Sequence, residues 1–464
     1  MMKQVIQSWR VAIGWRLSQL LVFFCALSLA IAPVHAQSLA LIRDAETERL
    51  LRSYTDPILI AAGLDPKAVR LYIINDRTIN AFVAEGQNIF IHTGLIMELE
   101  KPNQLIGVIA HETGHISGGH LTRRKEAIED ATVPYIISML LGVAAIAAGS
   151  PDAGVGIMAG GSQVAQRSIL AFTRQQESSA DQAGMTFLDK TGQSGRGMLE
   201  TFEGFAESEI LVSRKQDPFA RTHPMSRERF AALQERVESS PYANKEDSPQ
   251  SKRAYALVRA KLFGFMERPD ITLRRFPTKD QSEPARYARA IAYYRTPDFD
   301  RALIELTSLL RDDPDNPYYY ELMGQILTEM GKPREGIAPY RRSVALLPDE
   351  PLLRVSLAGT LIATEDPSYL AEAKRELLAS LRDDMRNPMA WRYLSMAEEQ
   401  LGNHDLANLA AAEQNYVIRN YGRALDFAQR AKHDLREGSV EWQRAIDIIA
   451  TAEANAGEGR IRRN

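Results

Sequence analysis

His111-Glu112-Thr113-Gly114-His115 is the stretch that decides how the rest of this chain is read. It closes an apolar series, Leu105, Ile106, Val108 and Ile109, spaced at helical period, with Asn103 able to cap the helix ahead of it. The helix is expected to run on to Lys125. Residues four apart on a helix share a face, so both imidazoles can bind one zinc ion. Glu112 lies between them, beside a water that the ion polarises. It can take that water's proton during attack on a peptide carbonyl and pass it to the leaving nitrogen. With 8 histidines in 464 residues, such a match arises by chance in about one chain in a hundred.

A catalytic zinc takes three protein ligands and keeps one position open. The metzincin spacing would put the third ligand at position 121, but that residue is Leu121; the histidine falls one residue early, at His120. A carboxylate on a following helix is the other arrangement. Glu177, in Arg174-Gln175-Gln176-Glu177-Ser178-Ser179-Ala180-Asp181, is the best candidate. Glu126 and Glu129 also lie downstream, where a solvated charged face is their ordinary reading. Asp181 shares the helix face of Glu177 and is placed to accept a hydrogen bond from a ligand histidine, fixing its tautomer.

Outward from this motif, residues 37–240 read as a mixed α/β domain. Strands are expected at Val69–Ile74 and Asn88–His92, both rich in β-branched and aromatic residues. After the motif, Val133 to Ala148 carries no charge, and Gly154 to Gly161 continues small and apolar. Sixteen residues are short of a membrane span, so 133–161 is expected to cover the site or graze a membrane surface. His92, His404 and His433 read as ordinary surface or core residues.

The two ends are different material. Lys3, Arg10 and Arg16 precede an apolar run, Leu20–Ala32, that finishes at Val34-His35-Ala36, which reads as a signal peptide over residues 1–36. The only cysteine, Cys25, lies inside it, so cysteine chemistry and disulfides are not expected in the exported chain. A formal net charge of −3 supplies no basic surface for nucleic acid. Residues 241–280 read as a polar linker and a helix. From 281 to 464 the chain repeats with a period of 34: Pro314 recurs at Pro348 and Pro317 at Pro351. Tyr320, Met323, Gly324, Leu327, Gly336, Tyr340, Ser343 and Pro348 follow the tetratricopeptide spacing. Ala290, Ala302 and Pro314 place an earlier unit; Trp391, Leu394, Ala407 and Ala411 place a later one, with capping helices from about Asn420.

HETGH followed by Glu177-Ser178-Ser179-Ala180-Asp181 is similar to the gluzincin family that contains the CAAX prenyl proteases and the membrane-bound heat-shock zinc proteases. The resemblance implies that Glu177 is the third zinc ligand. It also implies that the segment from Asn80-Ala81-Phe82 to Ile89 and Ile91 forms an edge pairing with an extended substrate. Thr222-His223-Pro224 with Arg229 resembles a later family feature, in which His223 would latch the zinc's fourth position or donate to the oxyanion. Ala84-Glu85-Gly86-Gln87-Asn88 departs from the family's Pro-Gly-Gly-like turn.

The expected architecture is therefore an α+β zincin-like metalloprotease domain followed by an all-α tetratricopeptide-repeat solenoid, with one Zn2+ per chain. The resemblance further implies a periplasmic endopeptidase peripheral to the outer membrane. It would degrade unfolded or stalled outer-membrane β-barrel proteins and assist their assembly, docked to the β-barrel assembly machinery through its repeats. The alternative is a tetratricopeptide chaperone or scaffold whose zinc domain is structural or latent.

Overall fold

The computed structural model describes residues 40–84, 86–147, 150–211 and 223–461. The expected signal peptide and Glu85 lie outside them. Four strands, β1 (Leu41–Ile42), β2 (Arg70–Ile74), β3 (Ala81–Ala84) and β4 (Asn88–His92), form one sheet in the order β1-β2-β4-β3. β2 and β4 run parallel, while β1 and β3 pair antiparallel at the two edges. Ile73, Ile89 and Ile91 are buried in the central pair and join one apolar core with Leu51, Ile58 and Leu59 of helix α1 (Ala45–Ala61). Asp44 caps α1 by accepting from the Thr47 N–H at 2.8 Å.

A short helix, α2 (Thr93–Glu98), leads to α3 (Pro102–Ser117), which carries the HETGH motif. Asn103 does not cap α3 but lies in its first turn. Its side chain donates to Ser194 O at 2.7 Å and accepts from the Gly197 N–H at 2.7 Å, tying α3 to a later loop and helix. Nor does the helix continue to Lys125. It stops at Gly118-Gly119, where Gly119 takes φ +63, a left-handed conformation that a side chain would strain. The chain restarts as α4 (His120–Ala147) and returns as α5 (Pro151–Lys190). The uncharged segment is thus an antiparallel helical hairpin. Helices α6 (Arg196–Leu211) and α7 (Arg227–Glu238) complete this half, with Phe202, Leu233 and Val237 in the same core.

The polar stretch after Glu238 is not a loose linker. Ser240 Oγ donates to Asp189 Oδ1 at 2.5 Å, and Ala243 O accepts from Ser194 Oγ at 2.8 Å. Helix α8 (Pro249–Met266) then sends Tyr255, Val258 and Leu262 into the first core. After α9 (Pro269–Arg275), helices pair as hairpins: α10 (Glu283–Arg295) with α11 (Phe299–Asp312), α12 (Pro317–Glu329) with α13 (Pro333–Leu346), α14 (Pro351–Ala363) with α15 (Leu370–Asp383), and α16 (Pro388–Gln400) with α17 (His404–Val417). Helices α18 (Tyr421–Asp434) and α19 (Val440–Ile461) close the array. The repeat shows in equivalent bonds: Ser343 Oγ donates to Pro317 O at 2.8 Å, and Ser380 Oγ donates to Pro351 O at 2.9 Å. Each donor binds the first helical residue of its unit, locking the second helix onto the first.

A buried charge cluster joins the two halves. Lys261 of α8 lies 2.5 Å from Asp44, 3.4 Å from Glu46 and 3.7 Å from Glu321 of the solenoid. Tyr287 donates to Glu46 at 2.9 Å. Removing one member of such a cluster leaves buried charge uncompensated, a cost of about 3–5 kcal/mol.

Candidate metal centre

Helices α3 and α5 cross at Gly114, where a Cβ would lie 2.6 Å from Ala180 O. The absence of a side chain there lets the two backbones close up. His111 and His115 on one helix thereby meet Glu177 and Asp181 on the other. The Nε2 atoms of His111 and His115 are 3.1 Å apart, and His223 Nδ1 is 3.2 Å from His111 Nε2. Glu177 Oε2 is 3.1 Å from His223 Nδ1 and 3.4 Å from His111 Nε2, while Glu177 Oε1 is 3.5 Å from His115 Nε2. One ligand atom from each of these four buried residues lies within 4.8 Å of the others.

The orientation of the rings is set from behind. Asp181 Oδ1 is 2.9 Å from His111 Nδ1, so the proton of a neutral His111 sits on Nδ1 and the Nε2 lone pair faces the cluster. Asp181 is itself held by Arg229, which donates from Nε at 2.6 Å and from its terminal nitrogen at 2.9 Å. Arg229 also donates to Pro224 O at 2.9 Å, fixing the loop that carries His223. The ring of Phe202 packs edge-on against His111, with centroids 5.2 Å apart.

The electrostatics of these side chains suit a cation held among them. Burial opposes charge on His111, yet hydrogen bonds to Asp181 and Glu177 push it up to about 9. Burial, and then the proximity of His111, push His115 down to about 2. Burial would raise the Glu177 carboxyl, but hydrogen bonds with His111 and His223 hold it well below the usual range. Carboxylates that stay ionised, packed among imidazoles that cannot all be charged, make a donor set suited to one metal cation.

Glu112 lies alongside this set, almost fully buried, with Oε1 3.4 Å from His223 Nε2. Burial raises its carboxyl above the ordinary value; His223, His111 and the Val83 N–H work the other way. A carboxylate moved upward from its usual range is better matched to taking and returning a proton near neutral pH.

The structure brings His111, Glu112, His115, Glu177, Asp181 and His223 together, but it corrects the expected edge. Ile89 and Ile91 are buried on the inner strand β4, paired on both sides, and present no edge. The free edge beside α3 is β3. Asn80 O accepts from the His92 N–H at 3.0 Å, so Asn80 and Phe82 face β4 in the ladder. By alternation, the amides and carbonyls of Ala81 and Val83 point outward. Phe82 stacks on Phe90 with centroids 5.0 Å apart, stiffening that edge. His120 is a residue that the spacing argument passed over. Its Nδ1 is 2.9 Å from His115 Nδ1, and its carbonyl accepts from Gln176 at 3.1 Å. His92, His404 and His433 stand apart from the set.

Residues 45–237 match the model of peptidase family M48. This segment is an M48 peptidase domain. The chain is accordingly a metalloprotease. It is 26% identical over 384 residues to the beta-barrel assembly-enhancing protease of Escherichia coli strain K12, covering 80% of this chain and 76% of that protein. It is 25% identical over 380 residues to the protein of the same name from Yersinia pestis, again covering 80% and 76%. Among solved structures, yeast Tom70 aligns at 15% identity and a TM-score of 0.32, covering 67% of this chain and 61% of that one. The solenoid that follows the M48 domain is tetratricopeptide-like by its own 34-residue spacing and helix pairs.

Proposed function

We propose that this chain is a periplasmic zinc endopeptidase that cuts unfolded or stalled outer-membrane β-barrel proteins and assists their assembly. The observation that carries the reading is the meeting of His111, His115, Glu177 and His223 within 4.8 Å, with Glu112 buried beside them. His111, His115 and Glu177 are the three residues that would hold the ion. When bound there, zinc acidifies water and polarises a carbonyl. Glu112 takes the proton of the attacking water and returns it to the leaving nitrogen. Asp181 keeps His111 in the ligating tautomer, and Arg229 keeps Asp181 charged.

His223 lies among the ligand atoms, its Nδ1 3.2 Å from His111 Nε2, so in the resting state it would fill the ion's fourth position and latch the centre. Movement of the loop bearing His223 opens the centre. The outward amide and carbonyl of Val83 then offer a pairing edge to an extended chain, which a folded β-barrel, with its strands already paired, cannot use. The substrate class is supported by the names of the two bacterial relatives, and the signal peptide reading supports the compartment. The solenoid is suited to hold the β-barrel assembly machinery. A second reading, a chaperone or scaffold with a latent zinc domain, draws on His223 lying among the ligands.

The test is digestion of one outer-membrane β-barrel protein, in urea-unfolded and in folded form, by the wild type and by His223→Ala, each carrying one zinc per chain. Cleavage of the unfolded form alone, faster with His223→Ala, is expected. Zinc-loaded protein that cuts neither form, with or without His223, supports the scaffold instead.

A further inference from the structure

Most of the large apolar side chains that stand exposed among the described residues belong to one element, the α4–α5 hairpin. Leu140 is 66% exposed, and Val133, Ile136, Leu141, Val143 and Val155 are similarly open. The two helices touch through a narrow seam at which Gly142 meets Gly154 and the Met158 side chain, Gly154 also meets Ile146, and Gly161 meets Ser138. Around the rest of its circumference α4 is apolar from Val133 onward. At 100° per residue, its exposed apolar positions sweep roughly 240° of the helix circumference. A protein groove covers one face of a helix; only a surrounding apolar medium satisfies this much of the perimeter.

Charge is partitioned along the hairpin in the same sense. From Ala131 to Gln166 the only charged residue is Asp152, in the first turn of α5 near the apex. The base carries Arg123, Arg124 and Lys125 on α4 and Arg167 and Arg174 on α5, all exposed. Glu126, Glu129 and Asp130 share that level, leaving it net basic. This is the polarity profile of a bilayer whose headgroups are anionic. Residues 131–147 extend about 25 Å, less than the roughly 30 Å hydrocarbon layer, so the hairpin, whose two ends lie on one side, stops short of the far headgroups.

We propose that the α4–α5 hairpin inserts into an anionic phospholipid bilayer. Helix α5 runs without interruption from the apolar apex through Arg167 to Glu177 and Asp181. Ten residues of helix separate Arg167 from Glu177, so the hairpin holds the metal centre about 15 Å above the level of Arg167. The centre then meets protein chains at the membrane surface rather than in bulk solution. Lipid contact itself does not depend on the protease reading.

The test uses the full chain with Cys25→Ser and a single new cysteine, Leu140→Cys on the hairpin or Ile304→Cys on the solenoid, labelled with an environment-sensitive fluorophore. Phosphatidylethanolamine–phosphatidylglycerol vesicles with nitroxide-bearing acyl chains are then added. A blue shift and several-fold quenching are expected at 140 and not at 304. Adding Leu141→Glu and Val143→Glu should abolish the quenching while leaving helicity, zinc content and lipid-free peptide cleavage unchanged. The proposal is overturned by a label at 140 that stays in water when vesicles are present. It is equally overturned by one already shielded in their absence, which would mean a second copy, or the protein's own surface, covers the hairpin.

Discussion

Asp181 Oδ1 sits 2.9 Å from His111 Nδ1 and is gripped from its other side by Arg229, so one carboxylate links the first ligand to the loop of His223. Asp181→Asn keeps the shape but weakens the pull on the imidazole. It is expected to lower zinc affinity by about 10–100-fold, read by competition with a chelator. Asp181→Ala takes away the carboxylate that Arg229 grips with two nitrogens, leaving the buried guanidinium Glu177 Oε2 at 3.2 Å as its counter-charge, and should also destabilise the fold by roughly 3 kcal/mol.

His120 does for His115 what Asp181 does for His111. For His115 to present an Nε2 lone pair to a metal, its Nδ1 must carry the proton and donate to His120 Nδ1, 2.9 Å away. His120→Ala is expected to weaken zinc binding by about tenfold. His120→Asn, whose side-chain oxygen can accept the same bond, should recover most of the loss. Equal affinity in the alanine variant and the wild type would remove His120 from the account.

The ligands were legible because HExxH and ExxxD encode helix faces directly: a spacing of four puts side chains on one side whatever the rest of the chain does. His120 was not, because its contact arises from the helix break at Gly118-Gly119, and local apolar periodicity ran through that break without a signal. The edge was misread for a related reason. The apolar alternation of Ile89 and Ile91 looks the same on an inner strand as on an outer one, and only the order β1-β2-β4-β3 separates them. Missing charge marked the hairpin, but not that it is two helices standing away from the core. Polar composition after Glu238 suggested a linker, although Ser240 and Ala243 are fastened by hydrogen bonds that composition does not reveal.

The β3 edge can be tested without touching the metal. The Val83 N–H points away from β4, so proline there removes an outward donor and no ladder bond. Val83→Pro is expected to bind zinc normally and to lose about tenfold or more in kcat/KM on extended peptides. Because the same N–H faces Glu112, the loss counts for the edge where it exceeds that on a peptide too short to pair with β3. Unchanged kcat/KM would show that substrate lies elsewhere.

Stability should depend on pH through Glu350, where α1 meets the solenoid. Burial, with Glu48 nearby and against the Leu352 N–H that it accepts, pushes its carboxyl up to about 7. The folded chain therefore keeps a proton that the unfolded chain has lost between its ordinary value, 4.5, and about 7. The corresponding stability is present below the ordinary value and is lost as pH rises through about 7. Glu350→Gln retains the capping acceptor and removes the titration. It should raise stability at about pH 8.5 by on the order of 2 kcal/mol and change little near pH 4.5, in melts run at both.

The central claim is that Glu112 moves the proton in a peptide hydrolysis performed at the His111, His115 and Glu177 centre. Its most direct test is cleavage of an unfolded protein by wild type and Glu112→Gln, with one zinc per chain verified in both. Since the glutamine retains shape but cannot accept the proton, loss of at least about a hundredfold in rate at full zinc occupancy is predicted. Cleavage by Glu112→Gln at the wild-type rate would contradict the account.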